Sequence, residues 1–472
     1  MTAVARARSS PRALVLQRFS APAPSPRRLL QQRSQELRPF ALLSGAGDPE
    51  LSRWSYGGLQ PAEQWGDFEA AHRAVVARHS GTPLDALSSS GAQDVLRSEP
   101  PRSDRGAVVD DGLPPFTGGV VGYLGYDFGW RFAGRPRPPR ADPLGMPSAR
   151  FFEYDAIYAR DEWTGVGYVL VDGTAEAERR GRRLVRALTR PEAPIDGGLA
   201  GSLSARIGRA EHEARVVSAL DAIQCGDVYQ LNLTYPLEGL FTGDPAAALD
   251  RLAASAPPFA AYLQVDEDAH LVSASPECFL DVDRSGRIRT FPIKGTRKRA
   301  VGARDRSEAR ALRSDPKERA EHTMIVDLLR NDLGRICRPG SVTVEGLAYL
   351  ESFSTVHHLT SRVQGFLRRD LCPGDLLRAL YPGGSITGAP KLAAMELIDA
   401  LEDEARGAYC GSLMWIDRGG AMRSSIAIRT AQIREGELRF GVGGGIVADS
   451  NPTREWEETQ LKAQALGAAL TG

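Results

Sequence analysis

DPKERAEHTMIVDLLRNDLGR, residues Asp315–Arg335, is the stretch from which the rest of the chain can be read. Asp315 is a good helix N-cap, Pro316 suits the first helical position, and Glu318 completes an arrangement like a capping box. Met324, Ile325 and Leu328 then form an apolar stripe, which Gly334 ends. Glu318 and Glu321 fall three apart and share a face of this helix. The pattern returns near the C-terminus. Asn451-Pro452 opens a second helix, with Glu455 and Glu458 three apart and Lys462 one turn beyond. Two helices that each present paired carboxylates suit a hard cation such as Mg²⁺, which favours a few carboxylates, waters and an anionic substrate. The plain reading is that such pairs face solvent.

Upstream, Ala210–Cys225 carries Val216, Leu220 and Ile223 at helical spacing, and Gly226 is a natural stop. Val228–Tyr235 then alternates. Tyr229, Leu231, Leu233 and Tyr235 form one face, and Gln230, Asn232 and Thr234 the other. A polar strand face meets either solvent or a wet pocket. Lys294 follows an apolar strand, beside Gly295-Thr296. An amine there is nucleophilic where desolvation favours its neutral form. The alternative is an ordinary surface lysine before the basic run Arg297-Lys298-Arg299. Two glycine-rich stretches, Gly383–Lys391 and Gly441–Gly445, supply free backbone N–H groups suited to a carboxylate or phosphate. The first is not a P-loop, and the second lacks a dinucleotide-binding context.

Elsewhere the signals are coarser. Residues 191–204 (PEAPIDGGLAGSLS) read as a linker between an N-terminal region, 1–195, and a catalytic region, 205–472. Glu99–Pro115 and Arg135–Pro147 read as long surface loops. The segment up to Arg33 is Arg-rich and acid-poor, as transit peptides are, but its plain reading makes residues 12–18 the first strand.

Lys+Arg and Asp+Glu both number 59, which removes any global electrostatic case for nucleic acid or an anionic membrane. No apolar run reaches membrane-spanning length. The five cysteines are widely spaced with no CxxC, so the default is a reducing cytosol rather than a zinc or disulfide framework. None sits in the nucleophile elbow that a class I glutaminase needs.

From Ala210 onward the chain resembles the chorismate-binding family. The matching stretches occur in the family's order: GDVYQLNL (Gly226–Leu233), SASPECFL (Ser273–Leu280), PIKGTRKR (Pro292–Arg299), Asp315–Arg335, VHHLTSRV (Val356–Val363), PGGSITGAPK (Pro382–Lys391), AIRTA (Ala427–Ala431), GVGGGIV (Gly441–Val447) and EWEETQLKAQA (Glu455–Ala465). PFALLSG (Pro39–Gly45) and TGGVVGYLGYD (Thr117–Asp127) extend the resemblance into the N-terminal region. The resemblance implies an α+β fold, with antiparallel sheets packed as a sandwich and helices outside.

It also implies roles. Glu321 and Glu458 would ligate Mg²⁺ directly, with Glu318 and Glu455 orienting its waters. Arg429, Lys462, Tyr409 and the backbone of Gly443 would anchor the enolpyruvyl carboxylate of chorismate. Glu277 would protonate the departing C4 hydroxyl. His358, Ser385 and Thr296 would contact the substrate. Gln230 stands where water-adding members carry a lysine base, and glutamine cannot deprotonate water. Lys294 stands where anthranilate synthases and the water-adding members have alanine, whereas PIKGT resembles the members that aminate C4. In those members the lysine attacks C2, and ammonia then enters at C4. Ammonia would come from a separate glutamine amidotransferase subunit.

The family's tryptophan feedback site would fall at Leu42-Leu43-Ser44-Gly45, where Ser44 and Trp54 are candidate lining residues. Regulation, structural filling and no ligand all stay open there. Two rival functions also stay open: C2 amination to anthranilate, and a non-catalytic binding or regulatory subunit.

Overall fold

The computed structural model describes residues 13–32, 37–68, 70–71, 73–74, 114–135, 137, 140–353, 356–371 and 373–471. Residues 99–113 of the first expected loop and the first twelve residues lie outside these.

The described strands form two antiparallel sheets. The larger has twelve strands. Across it run Leu14–Phe19, Gly167–Val171, Ala156–Asp161, Trp54–Gly58, Phe40–Leu43, Phe259–Gln264, Ala269–Ser275, Thr430–Arg434, Glu437–Ile446, Gln230–Gly243 and Gly388–Ala389. Gly197–Ala205 adds to Gln230–Gly243 off this path. The ten-stranded sheet runs Ile293–Lys298, Val356–Phe366, Arg287–Phe291, Cys278–Val282, Met422–Ile426, Ser412–Asp417, Gly119–Leu124, Ala149–Tyr154 and Glu63–Trp65, with Thr343–Ser352 also on Val356–Phe366. The expected α+β sandwich is therefore what the chain forms. Both sheets draw strands from either side of residues 195–205.

The sheets meet through Phe40, Tyr56 and Leu263 on one side and Val121, Tyr123 and Trp415 on the other, all buried. Burying each such side chain contributes about 1.5–3 kcal/mol, so this interface is a main stabilising term. Helices cover the outer faces. Arg209–Cys225 and Lys391–Leu401 bury Val216, Ala219, Ala394 and Ile398 against Leu231, Leu233 and Ile446. Pro452–Thr471 packs beside Ala247–Ala253, and Pro316–Gly334 covers the ten-stranded sheet with Val326 and Leu333. No described helix is long and apolar enough to cross a membrane.

Local signals are realised closely. Gly226 ends its helix in the left-handed region at φ 82°. Asp315 accepts from the Glu318 N–H at 3.3 Å, and Asn451 from the Arg454 N–H at 3.1 Å, so both expected caps form.

Two readings need correction. The supposed linker contains the strand Gly197–Ala205, paired with Gln230–Gly243. Its small residues give no strand signal of their own, and the distant ladder supplies the order. Tyr229 does not share the buried face of its neighbours. It precedes the strand, which starts at Gln230, and is 67 % exposed. The described residues of the Arg135–Pro147 segment form the expected surface loop, and ion pairs pin it to the helix beside it. Arg135 pairs with Glu396, Arg137 with Asp399, and Arg140 with Asp399 and the Glu402 carbonyl, all on or just after helix Lys391–Leu401.

Candidate active site

One face of the large sheet changes character along its width. Between the sheets, Ala261, Leu263, Ala269 and Leu271 of Phe259–Gln264 and Ala269–Ser275 give this face an apolar character. Further across, the inward positions become Gln432, Arg439, Gly441, Gly443 and Gly445, with Gln230, Asn232 and Thr234 on the next strand. The candidate site lies at this polar end.

Lys294 enters it from the other sheet. Ile293–Lys298 carries a bulge that sets Lys294 opposite Leu359 and Thr296 opposite His358. The extra residue, Gly295, takes φ 75°, which glycine adopts without strain. A Cβ at Gly295 would lie 3.0 Å from Glu318 Oε2, so glycine also admits that carboxylate. The Lys294 amine reaches across to Gly445. A Cβ there would stand 3.2 Å from Lys294 Nζ and 2.7 Å from Gln230 Nε2.

Glu277 sits where the chain passes from Ala269–Ser275 in one sheet to Cys278–Val282 in the other. Its N–H donates to Ser275 Oγ at 3.2 Å, and its carbonyl accepts from Ile426 N–H at 3.0 Å. Burial pushes its carboxyl up to about 7, offset in part by a hydrogen bond from Ser385 and by the Lys294 charge. A carboxyl near 7 beside an amine is suited to acid catalysis at neutral pH. Ser385 is delivered by the short turn Gly384–Ile386, and Gly384 lies close against Leu328 of helix Pro316–Gly334.

Glu455 Oε2 and Glu458 Oε1 approach the Gly444 backbone: a Cβ at Gly444 would stand 3.3 Å from the first and 4.0 Å from the second. The Glu318 carboxyl is raised by burial first, then by Glu321 and Asp315, with Glu458 adding to the same effect. Carboxylates from both helices thus repel one another here, and a divalent cation relieves such crowding. Among the described residues, however, no three acidic, His or Cys groups already stand close enough to hold a metal ion. Lys462 bridges Glu458, at 2.8 Å, and the Gly443 carbonyl, at 2.7 Å.

Arg429 takes φ 51°, uncommon for a non-glycine residue. It is exposed to solvent, yet desolvation holds its guanidinium below the usual arginine range. His358 is buried, bonded at Nδ1 to Thr296 Oγ1 at 2.8 Å, and held neutral down to about 4 by burial and the Arg429 charge. Tyr409 is buried with its ring against Gly441, two residues short of Gly443, and it lines a separate cavity of about 260 Å³.

Ser44 and Trp54 lie elsewhere between the sheets. Ser44 Oγ donates to the Trp54 carbonyl at 2.6 Å. Both line a cavity of about 50 Å³ with Tyr56, Trp415 and Arg423. That volume accommodates a few waters but not an indole ring.

The sequence reading missed His322, which is fully buried beside Glu321 and bonded through Nε2 to Ser361 Oγ. It also missed Glu402 and Arg406, a buried ion pair beside Thr234. The Glu402/Arg406 spacing of four was the available signal, but the pair falls after the end of a helix.

The model of the chorismate binding enzyme family matches residues 55–468, and the chain belongs to that family. Within it, two kinds of relative are similar to this chain. Aminodeoxychorismate synthase component 1 of Salmonella typhimurium is 41% identical over 347 residues, covering 73% of this chain and 75% of that one. Anthranilate synthase component 1 of Streptomyces coelicolor is 38% identical over 422 residues, covering 84% and 80%. Among solved structures, anthranilate synthase component I from Streptococcus pneumoniae superposes with a TM-score of 0.71 at 28% identity, over 89% of this chain and 93% of that one. The menaquinone-specific isochorismate synthase from Escherichia coli shares the fold, with a TM-score of 0.72 at 16% identity over 98% and 95%.

Proposed function

We propose that this chain aminates chorismate at C4, forming 4-amino-4-deoxychorismate, the precursor of 4-aminobenzoate in folate synthesis. The observation that carries the reading is the Lys294 amine, directed at Gly445 and Gln230 and close enough to Glu277 to influence its carboxyl. Lys294 attacks C2 of the ring. The two ring double bonds shift, and the C4–O bond breaks as Glu277 delivers its proton, so water leaves. Ammonia then forms a bond to C4, the double bonds return, and the C2–N bond to Lys294 breaks. The covalent intermediate divides one difficult displacement into two easier ones. Lys294 and ammonia each shed one proton in this exchange, which restores Glu277 and a neutral lysine.

Glu321 and Glu458, with Glu318 and Glu455 behind them, would hold Mg²⁺, whose charge would neutralise the ring carboxylate. Arg429 and Lys462 would take the enolpyruvyl carboxylate, with Tyr409 and the Gly443 backbone beside it. His358, held neutral, and Thr296 would border the ring. Gln230 disfavours the addition of water, because it offers no base. Ammonia would be supplied by a glutamine amidotransferase subunit, since no cysteine lies in a nucleophile elbow. The free thiols of Cys225, Cys278, Cys337 and Cys410 fit work in the reducing cytoplasm.

The rival reading is amination at C2 to anthranilate, to which Lys294 would contribute no obvious step. The test supplies chorismate and Mg²⁺ with and without ammonium chloride. Without ammonium, mass spectrometry is expected to find chorismate-derived mass on the Lys294 peptide. With it, the product is 4-amino-4-deoxychorismate, and Lys294→Ala shifts the product toward C2-aminated material. No adduct and an unchanged product from Lys294→Ala would sink the proposal.

A further inference from the structure

Ser385 reaches Glu277 from a closed loop. Residues 381–390 connect helix Pro373–Leu380 to helix Lys391–Leu401 and include the turn Gly384–Ile386 and the short strand Gly388–Ala389. The Lys391 amine closes the base of the loop. It donates to the Leu380 carbonyl at 2.7 Å and pairs with Asp332 at 2.8 Å. Thr387 Oγ1 donates back to the Gly383 carbonyl at 2.9 Å, and the Thr387 carbonyl accepts from the Asn232 N–H at 2.7 Å. Gly383 lets the loop approach the strands beside Glu277. A Cβ there would stand 2.6 Å from Ile426 and 3.5 Å from Phe279. From Tyr381 to Gly388 every residue is buried except Ser385, which is partly exposed.

A buried ion pair also holds this loop. Arg406 uses all three of its guanidinium nitrogens. Nε and Nη2 donate to Glu402 at 2.8 and 2.7 Å, and Nη2 also donates to the Asn232 carbonyl at 2.6 Å. Nη1 donates to the Ile386 carbonyl at 2.9 Å. Glu402 in turn accepts the Thr234 N–H at 2.8 Å. One planar fork thus ties strand Gln230–Gly243 to the carbonyl of the residue next to Ser385. Burying two charges contributes little stability, because desolvation offsets their attraction. A fork does contribute direction, since it holds each acceptor along a fixed line. The polar groups that act on the Glu277 carboxyl are Ser385, by hydrogen bond, and Lys294, by charge; neither member of the pair is among them.

We propose that the Glu402–Arg406 pair is a positioning device for catalysis: through the Ile386 carbonyl, Arg406 fixes the turn that sets the Ser385 hydroxyl on the Glu277 carboxyl. The inference rests on the amination reading, in which Glu277 is the acid. Arg406 acts on that acid only through Ser385.

The test reads the Glu277 carboxyl directly, as the infrared band of its protonated form across pH, assigned by its loss in Glu277→Gln. Substrate is left out, so the titration does not depend on what the chain makes. Arg406→Lys keeps a cation for Glu402, but one nitrogen cannot hold both the carboxylate fork and two carbonyls. The Glu277 midpoint, near 7 in wild type, is expected to rise to the value that Ser385→Ala gives. Arg406→Lys combined with Ser385→Ala should go no higher. Glu402→Leu with Arg406→Met leaves no lone charge buried and should give the same rise, which keeps the test open if Arg406→Lys does not fold. A midpoint unmoved in the Arg406 variants or in Ser385→Ala, or shifts that add in the combined variant, would overturn the proposal. Failure of the amination reading shows separately, as a wild-type chain that forms no 4-amino-4-deoxychorismate from chorismate, Mg²⁺ and ammonium chloride.

Discussion

Gln230 and Lys294, carried by strands of different sheets, converge on one backbone position. Added to Gly445, a single methyl group would stand 2.7 Å from Gln230 Nε2 and 3.2 Å from Lys294 Nζ. Glycine at 445 is therefore what lets the amine and the amide meet. Both are ends of flexible side chains, so Gly445→Ala is expected to displace them without unfolding the protein. A displacement of an ångström at a reacting group costs about a hundredfold in rate. Turnover of chorismate by Gly445→Ala should fall by that order, with circular dichroism and thermal midpoint close to wild type. Wild-type turnover would show that the amine is not where the chemistry occurs.

The pH dependence follows from Glu277. Its carboxyl, raised to about 7 chiefly by burial, must be protonated to act as an acid. The rate of loss of the C4 hydroxyl should therefore decline as pH rises through about 7. Ser385 donates to the carboxylate and favours its ionised form. Ser385→Ala should move the declining limb to higher pH. A limb that moves to lower pH would contradict the assignment.

Glu321→Gln and Glu458→Gln each remove one negative charge from the crowded group around Glu318. Calorimetric titration with Mg²⁺ should show weaker binding in both variants, and turnover should be lost at Mg²⁺ levels that saturate wild type. Unaltered Mg²⁺ affinity in either would remove that residue from the metal site.

The Glu402–Arg406 pair is buried and satisfies backbone groups of a sheet edge. Glu402→Ala leaves the guanidinium without its partner and should cost about 3–5 kcal/mol in urea unfolding. The paired change Glu402→Leu with Arg406→Met should recover part of that loss, because no lone charge remains buried. Equal losses in the single and paired variants would mean that shape, not charge, is at stake.

Tryptophan gives a direct check of the cavity at Ser44 and Trp54. With about 50 Å³ available between rings already in place, millimolar tryptophan should neither inhibit turnover nor raise the thermal midpoint. Stabilisation by tryptophan would mean that Trp54, Tyr56 and Trp415 can part to admit it.

What could be read in advance was local chemistry. The caps at Asp315 and Asn451, the stop at Gly226 and the alternation from Leu231 to Tyr235 depend on neighbours within a turn or a strand. The glutamate pairs and Lys294 were legible because their spacing matches a known order of motifs. What escaped depends on distant partners. Gly197–Ala205 is a strand only because Gln230–Gly243 offers it a ladder. Composition made it a linker, because glycine, serine and alanine signal flexibility wherever they lie. The match of Glu402 to the Thr234 N–H spans 168 residues and leaves no trace in either local pattern. The glycines at 441, 443 and 445 read as a weak anion loop, whereas they form a bare strand that Tyr409, Gln230 and Lys294 approach closely.

The interleaving of the sheets also fixes when the protein can take shape. Phe40–Leu43 pairs with Phe259–Gln264, so its open edge has no companion until more than two hundred further residues have been made. At ordinary ribosomal speeds of about 5–20 residues per second, that is a wait of roughly 10–40 seconds. Throughout it the nascent N-terminal strands carry unpaired N–H and C=O groups and an uncovered apolar face. Synthesis thus sets a long interval of vulnerability to aggregation, which ends only when the second half of the chain arrives to close it.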